Sequence, residues 1–265
     1  MRALVIALLG LWLGLGVLQG AEVLNTSLIH RAKRAKAKKP TPSKKRNPKL
    51  AKRATKAPTK PISPKAPSVS ARWIYSSAFL TVYFSDGHYK QGYGLLLQNG
   101  NYLSVASLVF DEGMYAQTIM ARMQDDSAPM LICVARLHVK AIDHNRGLSL
   151  LGTYSFTNDY CQTRPESYYH ARIYKKYAQD LLAYSHAPNT NTLYYPQVDS
   201  KDAFEVQRLH NFHDPSLQNL PLGRPLFNAQ GVFMGVLDGN QDKLKVIKRG
   251  VVLDFLRALQ KRRLL

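Results

Sequence analysis

The sequence predicts an all-β domain made of two six-stranded antiparallel β-barrels and closed by a carboxy-terminal α-helix, preceded by a disordered basic arm. Three observations predict it. From residue 71 onward, short runs of aromatic and β-branched residues alternate with Gly, Asn and Asp, the pattern of strands joined by tight turns. These runs fall into two sets of about six, which suggests twin barrels. The last stretch, GVVLDFLRALQKRRLL, instead spaces Val251, Val252, Phe255, Leu256 and Leu259 at helical intervals, with KRR in its last turn, where cations complement the helix dipole.

In the first set the expected strands are FLTVYF (79–84), GYGLLLQ (92–98), YLSVASLV (102–109), AQTIMARM (116–123), LICVARLHVKAI (131–142) and LSLLGTY (148–154). Turn signals separate them: SDG at 85–87, QNGN at 98–101, DEG at 111–113 and HNRG at 144–147, all rich in residues that tolerate left-handed backbone. The second set is YYHARIY (168–174), LLAYSHA (181–187), TLYYPQV (192–198), FEVQRLH (204–210), GVFMGVLD (231–238) and LKVIK (244–248). Its tyrosines, Tyr168, Tyr169, Tyr194 and Tyr195 among them, read as half-buried sheet faces, or as an interface if they cluster exposed.

The 70 residues before this domain have a different composition. The chain carries 37 Lys+Arg against 17 Asp+Glu, a formal net charge of +20 over 265 residues, and 15 of those cations lie between Arg31 and Lys65, where there is no acid. The excess therefore belongs to a segment and not to the whole chain, which excludes a histone-like polycation. That segment is built almost wholly from Lys, Arg, Ala, Pro, Thr and Ser. It lacks the apolar residues needed to repay the entropy of ordering, so residues 22–70 read as a disordered linker with polyproline character. Ahead of it, Arg2 precedes an apolar run from Ala3 to Val17 and small residues at Gly20 and Ala21, the order of a secretory signal over residues 1–21. An uncleaved membrane anchor is the alternative; either way the rest of the chain, residues 71–265 included, is expected to be exported, to a periplasm or the exterior. Export and the lack of interleaved aromatics argue against nucleic acid as the partner. The arm from Arg31 to Lys65 is read instead as an electrostatic tether to a membrane surface or another anionic envelope component, or as a plain spacer.

Four segments taken in order, YGLLLQNGNYLSVASLV, ARLHVKAIDHNRGLSLL, LPLGRPLFNAQGVFMGV and VIKRGVVLDFL, resemble the landmarks of the trypsin-like serine proteases, most closely the bacterial HtrA branch. The most specific is RPLFNAQGVFMGV, which is similar to the hairpin that follows the nucleophile in that family. The resemblance spans residues 77–259 and implies twin six-stranded barrels with a carboxy-terminal helix.

The resemblance also assigns positions to the chemistry, and there the sequence departs from it. Acyl transfer by this family needs a nucleophile, a base to accept its proton and an acid to orient the base. The histidine position is occupied by Ser107, the aspartate position by Gly147 and the nucleophile position by Leu222. Leu220, Pro221, Gly223 and Arg224 alter the Gly-rich turn that would aim the oxyanion-hole amides. A leucine offers no nucleophilic atom and a glycine no side chain, so the expectation is a pseudoprotease without a catalytic set. The competing expectation is an active peptidase rearranged around HNFHDPS, where His210, His213, Asp214 and Ser216 crowd together. Their closeness in sequence and the turn-forming Asp214-Pro215 favour a surface loop instead. The same cluster is a poor metal site because the run before it reads as a strand, and neither a metal nor a cofactor is expected. His88 and His138 read as ordinary surface and partly buried histidines.

Cys133 and Cys161 are the two cysteines. In an exported chain an even pair reads as a disulfide, with two buried thiols as the alternative. Taken together, the sequence leads to a non-catalytic trypsin-like module that engages a protein or envelope component, with the basic arm adding reach. A domain that merely displays the arm as a cell-wall anchor is a third reading.

Overall fold

The computed structural model describes residues 71–183, 192–210, 220–240 and 243–265. The expected signal, the basic arm, and His213, Asp214 and Ser216 lie outside the described residues.

The first half is a closed barrel. A 3-10 turn, Ala71–Ser76, leads into β1 (Ser77–Tyr83), which pairs on one side with β2 (Tyr89–Leu96) and on the other with β6 (Thr118–Met123). β2 turns into β3 (Tyr102–Val105), and β6 continues through β7 (Ile132–Asp143) to β8 (Leu148–Thr157). The ring closes where β3 pairs antiparallel with β8, from Tyr102 opposite Leu151 to Val105 opposite Leu148. Barrel diameter grows with strand number, so six strands with an inward apolar face enclose a narrow interior packed with side chains; Leu80, Val82, Leu95, Leu103, Val105, Ile119, Val134 and Leu150 are buried.

The turns that the sequence signals make this ring possible. At SDG, Gly87 has φ +92° and donates to the Phe84 carbonyl, while Asp86 Oδ1 accepts the amide of His88 at 3.1 Å. At QNGN, Gly100 has φ +77° and Asn99 Oδ1 accepts the amide of Asn101. Both are left-handed positions at which glycine carries no steric cost. The YLSVASLV run does not stay extended. After Val105 it coils into one helical turn, α1 (Ala106–Val109), anchored by the Ala106 amide on the Gly147 carbonyl at 2.9 Å. A small ribbon follows, β4 (Phe110–Asp111) against β5 (Met114–Tyr115), turning on Glu112 and Gly113.

The second half departs from the expected six strands. Past β9 (Thr163–Arg164) the run YYHARIY is helical: α2 (Glu166–Tyr169), a π-helical turn over His170–Tyr174, and α3 (Lys175–Tyr177). Its tyrosines suggested a strand, but Tyr169, Ile173, Tyr174 and Tyr177 are the buried ones. Spacings of four, five and eight residues put them on one helical face, and Pro165 followed by Glu166 is a helix-start signal. Residues 181–183 of LLAYSHA form a turn and the rest of that run lies outside the described residues. The second sheet therefore has five strands among the described residues, in the order β11-β10-β12-β13-β14: β10 (Leu193–Val198), β11 (Phe204–Leu209), β12 (Pro225–Phe227), β13 (Phe233–Asn240) and β14 (Lys243–Lys248). Leu193, Tyr195, Leu209, Leu226 and Leu237 form its own small core.

The closing helix, α4 (Arg249–Lys261), buries Val252, Leu253, Phe255, Leu256 and Leu259. Val251, expected on the same stripe, is 39% exposed. Cys133 on β7 and Cys161 before β9 form a disulfide with Cα atoms 5.3 Å apart, and Thr157 donates to Cys133 Sγ.

Candidate functional site

Ser107 sits in the middle of α1, and its hydroxyl donates to Asp238 Oδ1 at 2.6 Å. Asp238 lies on β13, in the other half of the domain, and is 4% exposed. Gly147 faces the same carboxylate. It stands at the end of the HNRG turn with φ +71°, and a Cβ placed there would fall 2.5 Å from Asp238 Oδ2. Asp238 thus fills the space that a side chain at residue 147 would need. It is held from outside by the Lys245 ammonium, 3.3 Å from Oδ2.

Leu222 meets the barrel through its backbone. Its carbonyl accepts the Tyr93 amide at 2.9 Å. A Cβ on Gly92 would lie 2.6 Å from that carbonyl and 2.8 Å from a methyl of Leu108, so Gly92 is the point where β2, α1 and the Leu222 turn converge. The turn is fastened on its other side as well. Gly223, at φ +74°, donates its amide to Leu237 O at 2.8 Å, and the Leu237 amide donates to Arg224 O at 3.0 Å. The Leu222 carbonyl and the Gly223 amide are therefore both engaged in joining the turn to strands.

Arg224 is buried, at 2% exposure. Its guanidinium lies 4.3 Å from the ring centroid of Tyr93 and 5.1 Å from that of Tyr195, and one terminal nitrogen donates to Pro196 O at 2.8 Å. Two aromatic faces are the environment a weakly hydrated planar cation tolerates best. No carboxylate pairs with it and its Nε has no partner among the described residues. Burial pushes the guanidinium below its ordinary value, against the opposing influence of the two phenols. The same burial raises the Tyr93 phenol, which Arg224 partly offsets.

Around Ser107 the polar groups form a chain. Lys90 Nζ donates to the Ser107 carbonyl at 3.2 Å and pairs with Asp111 at 2.7 Å, and His88 Nε2 stands 3.4 Å from the other Asp111 oxygen. Among the described residues the site thus offers a hydroxyl, two carboxylates and two ammonium groups, and one imidazole that reaches it through Asp111 and Lys90. Such a set orients and neutralises charge; it brings no imidazole to the Ser107 hydroxyl.

The structure places the other candidates apart from this centre. His138 is exposed on β7, not partly buried, because the strand alternates and it stands over Gly152. His210 ends β11. No group of three His, Cys, Asp or Glu side chains is arranged to hold a metal ion among the described residues. Sequence reasoning missed Asp238, whose signal was an acid closing the otherwise apolar run GVFMGVLD; a charge there must be paired if the strand is buried. It also missed β12, three residues inside the landmark RPLFNAQGVFMGV.

A closed antiparallel barrel, a second antiparallel sheet and a helix at the end of the chain define the class of architecture, with Ser107, Asp238 and the Leu222 turn between the two sheets. No family model matches the chain, and no curated protein matches it in sequence. Among solved structures it is similar to a serine endoprotease from Yersinia pestis, at 11% identity over 71% of this chain with a TM-score of 0.46. It is also similar to the HtrA-type protease AlgW with a tripeptide, at 13% identity over 71% of this chain with a TM-score of 0.44. The chain spans 64% of the first and 61% of the second. A third similarity, at 11% identity and a TM-score of 0.46, is to the MamO protease domain from Magnetospirillum magneticum, covering 69% of this chain and 97% of that one.

Proposed function

We propose that this chain is an exported, non-catalytic relative of the trypsin-like proteases that acts as a protein- or envelope-binding module, with its basic arm supplying attraction to anionic surfaces. The observation that supports this reading is that the positions which the resemblance assigns to the catalytic set are taken up by structural contacts. Asp238 takes the room of an acid at residue 147 and ties down the Ser107 hydroxyl. The residue at the nucleophile position is Leu222, whose carbonyl is committed to Tyr93. Residue 222 offers no nucleophilic atom, and the Ser107 hydroxyl is bonded to a carboxylate and not to an imidazole, so this set lacks the base-and-nucleophile pair of the family, whereas the fastened turn and barrel give a rigid surface of the kind binding modules use. Fifteen cations between Arg31 and Lys65 add long-range attraction that salt screens.

The test is a pull-down from the exporting cell's envelope, with the full chain and with residues 31–65 deleted. The proposal expects a captured component whose retention survives deletion with reduced yield. Loss of all capture on deletion would instead favour the arm as the sole anchor.

A further inference from the structure

Lined in part by the QNGN turn itself, the domain carries a polar cavity that shares no residue with the Ser107 centre. Its volume is about 490 Å³, within the range of small-ligand pockets. Three benzenoid rings and the His170 imidazole line it. Tyr154 on β8 is 79% exposed, Phe156 follows two residues later on the same strand, and Tyr174 closes the inner end from the π-helical turn. Phe156 and Tyr174 meet edge to face with centroids 5.4 Å apart. The Tyr174 hydroxyl is already used, 2.7 Å from the hydroxyl of buried Tyr102 and 3.3 Å from that of Thr153. What Tyr174 offers the cavity is therefore its ring and not its hydroxyl.

The charge of the lining is the second observation. Glu166 is its one carboxylate, His170 is the one lining residue that can carry positive charge, none is Lys or Arg, and Glu166 takes part in no ion pair among the described residues. Burial pushes the Tyr174 phenol up, the hydroxyl bonds with Thr153 and Tyr102 partly offset that, and the Glu166 carboxylate adds the smallest contribution, upward. Residues 71–265 carry 21 Lys and Arg against 16 Asp and Glu, so an unpaired carboxylate among aromatic rings is a local departure from a mildly basic domain. Aromatic faces carry a negative quadrupole and attract cations, most of all desolvated alkylammonium groups, while a carboxylate at the rim supplies full charge complementarity. We propose that the cavity between Tyr154, Phe156, Tyr174 and Glu166 binds an organic ammonium group, the rings taking its alkyl face and Glu166 its charge.

The proposal does not depend on the catalytic reading, because the two sites have no residue in common. It is tested by calorimetric and NMR titration of the full chain with choline, with its neutral isostere 3,3-dimethylbutan-1-ol, and with phosphatidylcholine vesicles. Choline is expected to bind at around the millimolar level, with the isostere at least about tenfold weaker. Tyr154→Ala and Glu166→Gln should each weaken choline at least about fivefold while leaving the thermal midpoint in place, since both side chains are exposed. Choline binding without vesicle binding assigns a soluble ligand, and binding of both assigns a lipid headgroup; either supports the proposal. Equal affinity for choline and its isostere, no choline binding at tens of millimolar, or native affinity in both variants would overturn it.

Discussion

The Ser107 hydroxyl and the Asp238 carboxylate, 131 residues apart in sequence, are joined by a 2.6 Å hydrogen bond that bridges α1 in the first half and β13 in the second. Gly147 completes the arrangement by leaving Asp238 room. Residues 147 and 238 are therefore coupled: a side chain at one excludes the carboxylate of the other. Gly147→Ala should destabilise the domain by about 1–3 kcal/mol, from the left-handed φ and the contact with Asp238. In an Asp238→Ala background the same change should cost about 1 kcal/mol less, the size of coupling seen between touching residues. Urea denaturation of the four proteins measures this, and strict additivity would contradict it.

Arg224 should matter as a packed cation. Its guanidinium is held by Tyr93, Tyr195 and Pro196 O alone among the described residues. Arg224→Ala removes a desolvated cation–π contact and leaves a void between two rings, at a cost of about 2–4 kcal/mol. An unchanged urea midpoint would show that the two rings close up without it.

Acid sensitivity should centre on Asp125. Its side chain is fully buried and stands 2.6 Å from Arg172 Nε, and its Oδ1 accepts the Ser127 amide at 2.8 Å. Burial alone would raise its pKa, but the bonds from Ser127 and Arg172 outweigh that and hold it below the ordinary value. A carboxyl depressed in this way contributes stability that is complete above its unfolded pKa of about 3.9 and is lost as pH falls through the lower folded value. Stability should thus be flat in this contribution above about pH 5 and decline below about pH 4. Asp125→Asn should flatten that acid limb, and an identical pH profile would count against the assignment.

The disulfide should carry much of the stability of the β7–β9 region. A closed loop with a sequence separation of 28 between Cys133 and Cys161 corresponds to about 3–4 kcal/mol of lost unfolded-chain entropy. Thiol labelling under denaturing conditions should find no free cysteine until reductant is added, and Cys133→Ser with Cys161→Ser should lower the thermal midpoint. Full labelling without reductant would remove the bridge from the account.

Much of the fold was legible because strands and tight turns leave strong local signals. The SDG and QNGN turns and the alternating run ARLHVK (135–140) each specify their geometry within a few residues. The helical stretch at 166–177 was misread because tyrosines favour sheets on average, while its burial spacing of four and five residues depends on which wall it packs against. The strand Pro225–Phe227 is too short for a period to show. At the centre, Ser107, Gly147 and Leu222 were located by resemblance, yet Asp238 was not, since nothing local in GVFMGVLD says that its carboxylate crosses to a serine in the other half. Arg224 was seen as an altered turn residue, but not as a buried cation between Tyr93 and Tyr195, a contact that only the tertiary fold creates.

The proposed absence of acyl-transfer chemistry is open to one direct measurement. The full chain is incubated with casein and with a serine-directed phosphonate, beside an active serine protease. The expected result is no turnover and no covalent labelling, for the native chain and for Ser107→Ala alike. Labelling or turnover that disappears on Ser216→Ala would contradict it and move the active centre to the cluster between His210 and Ser216.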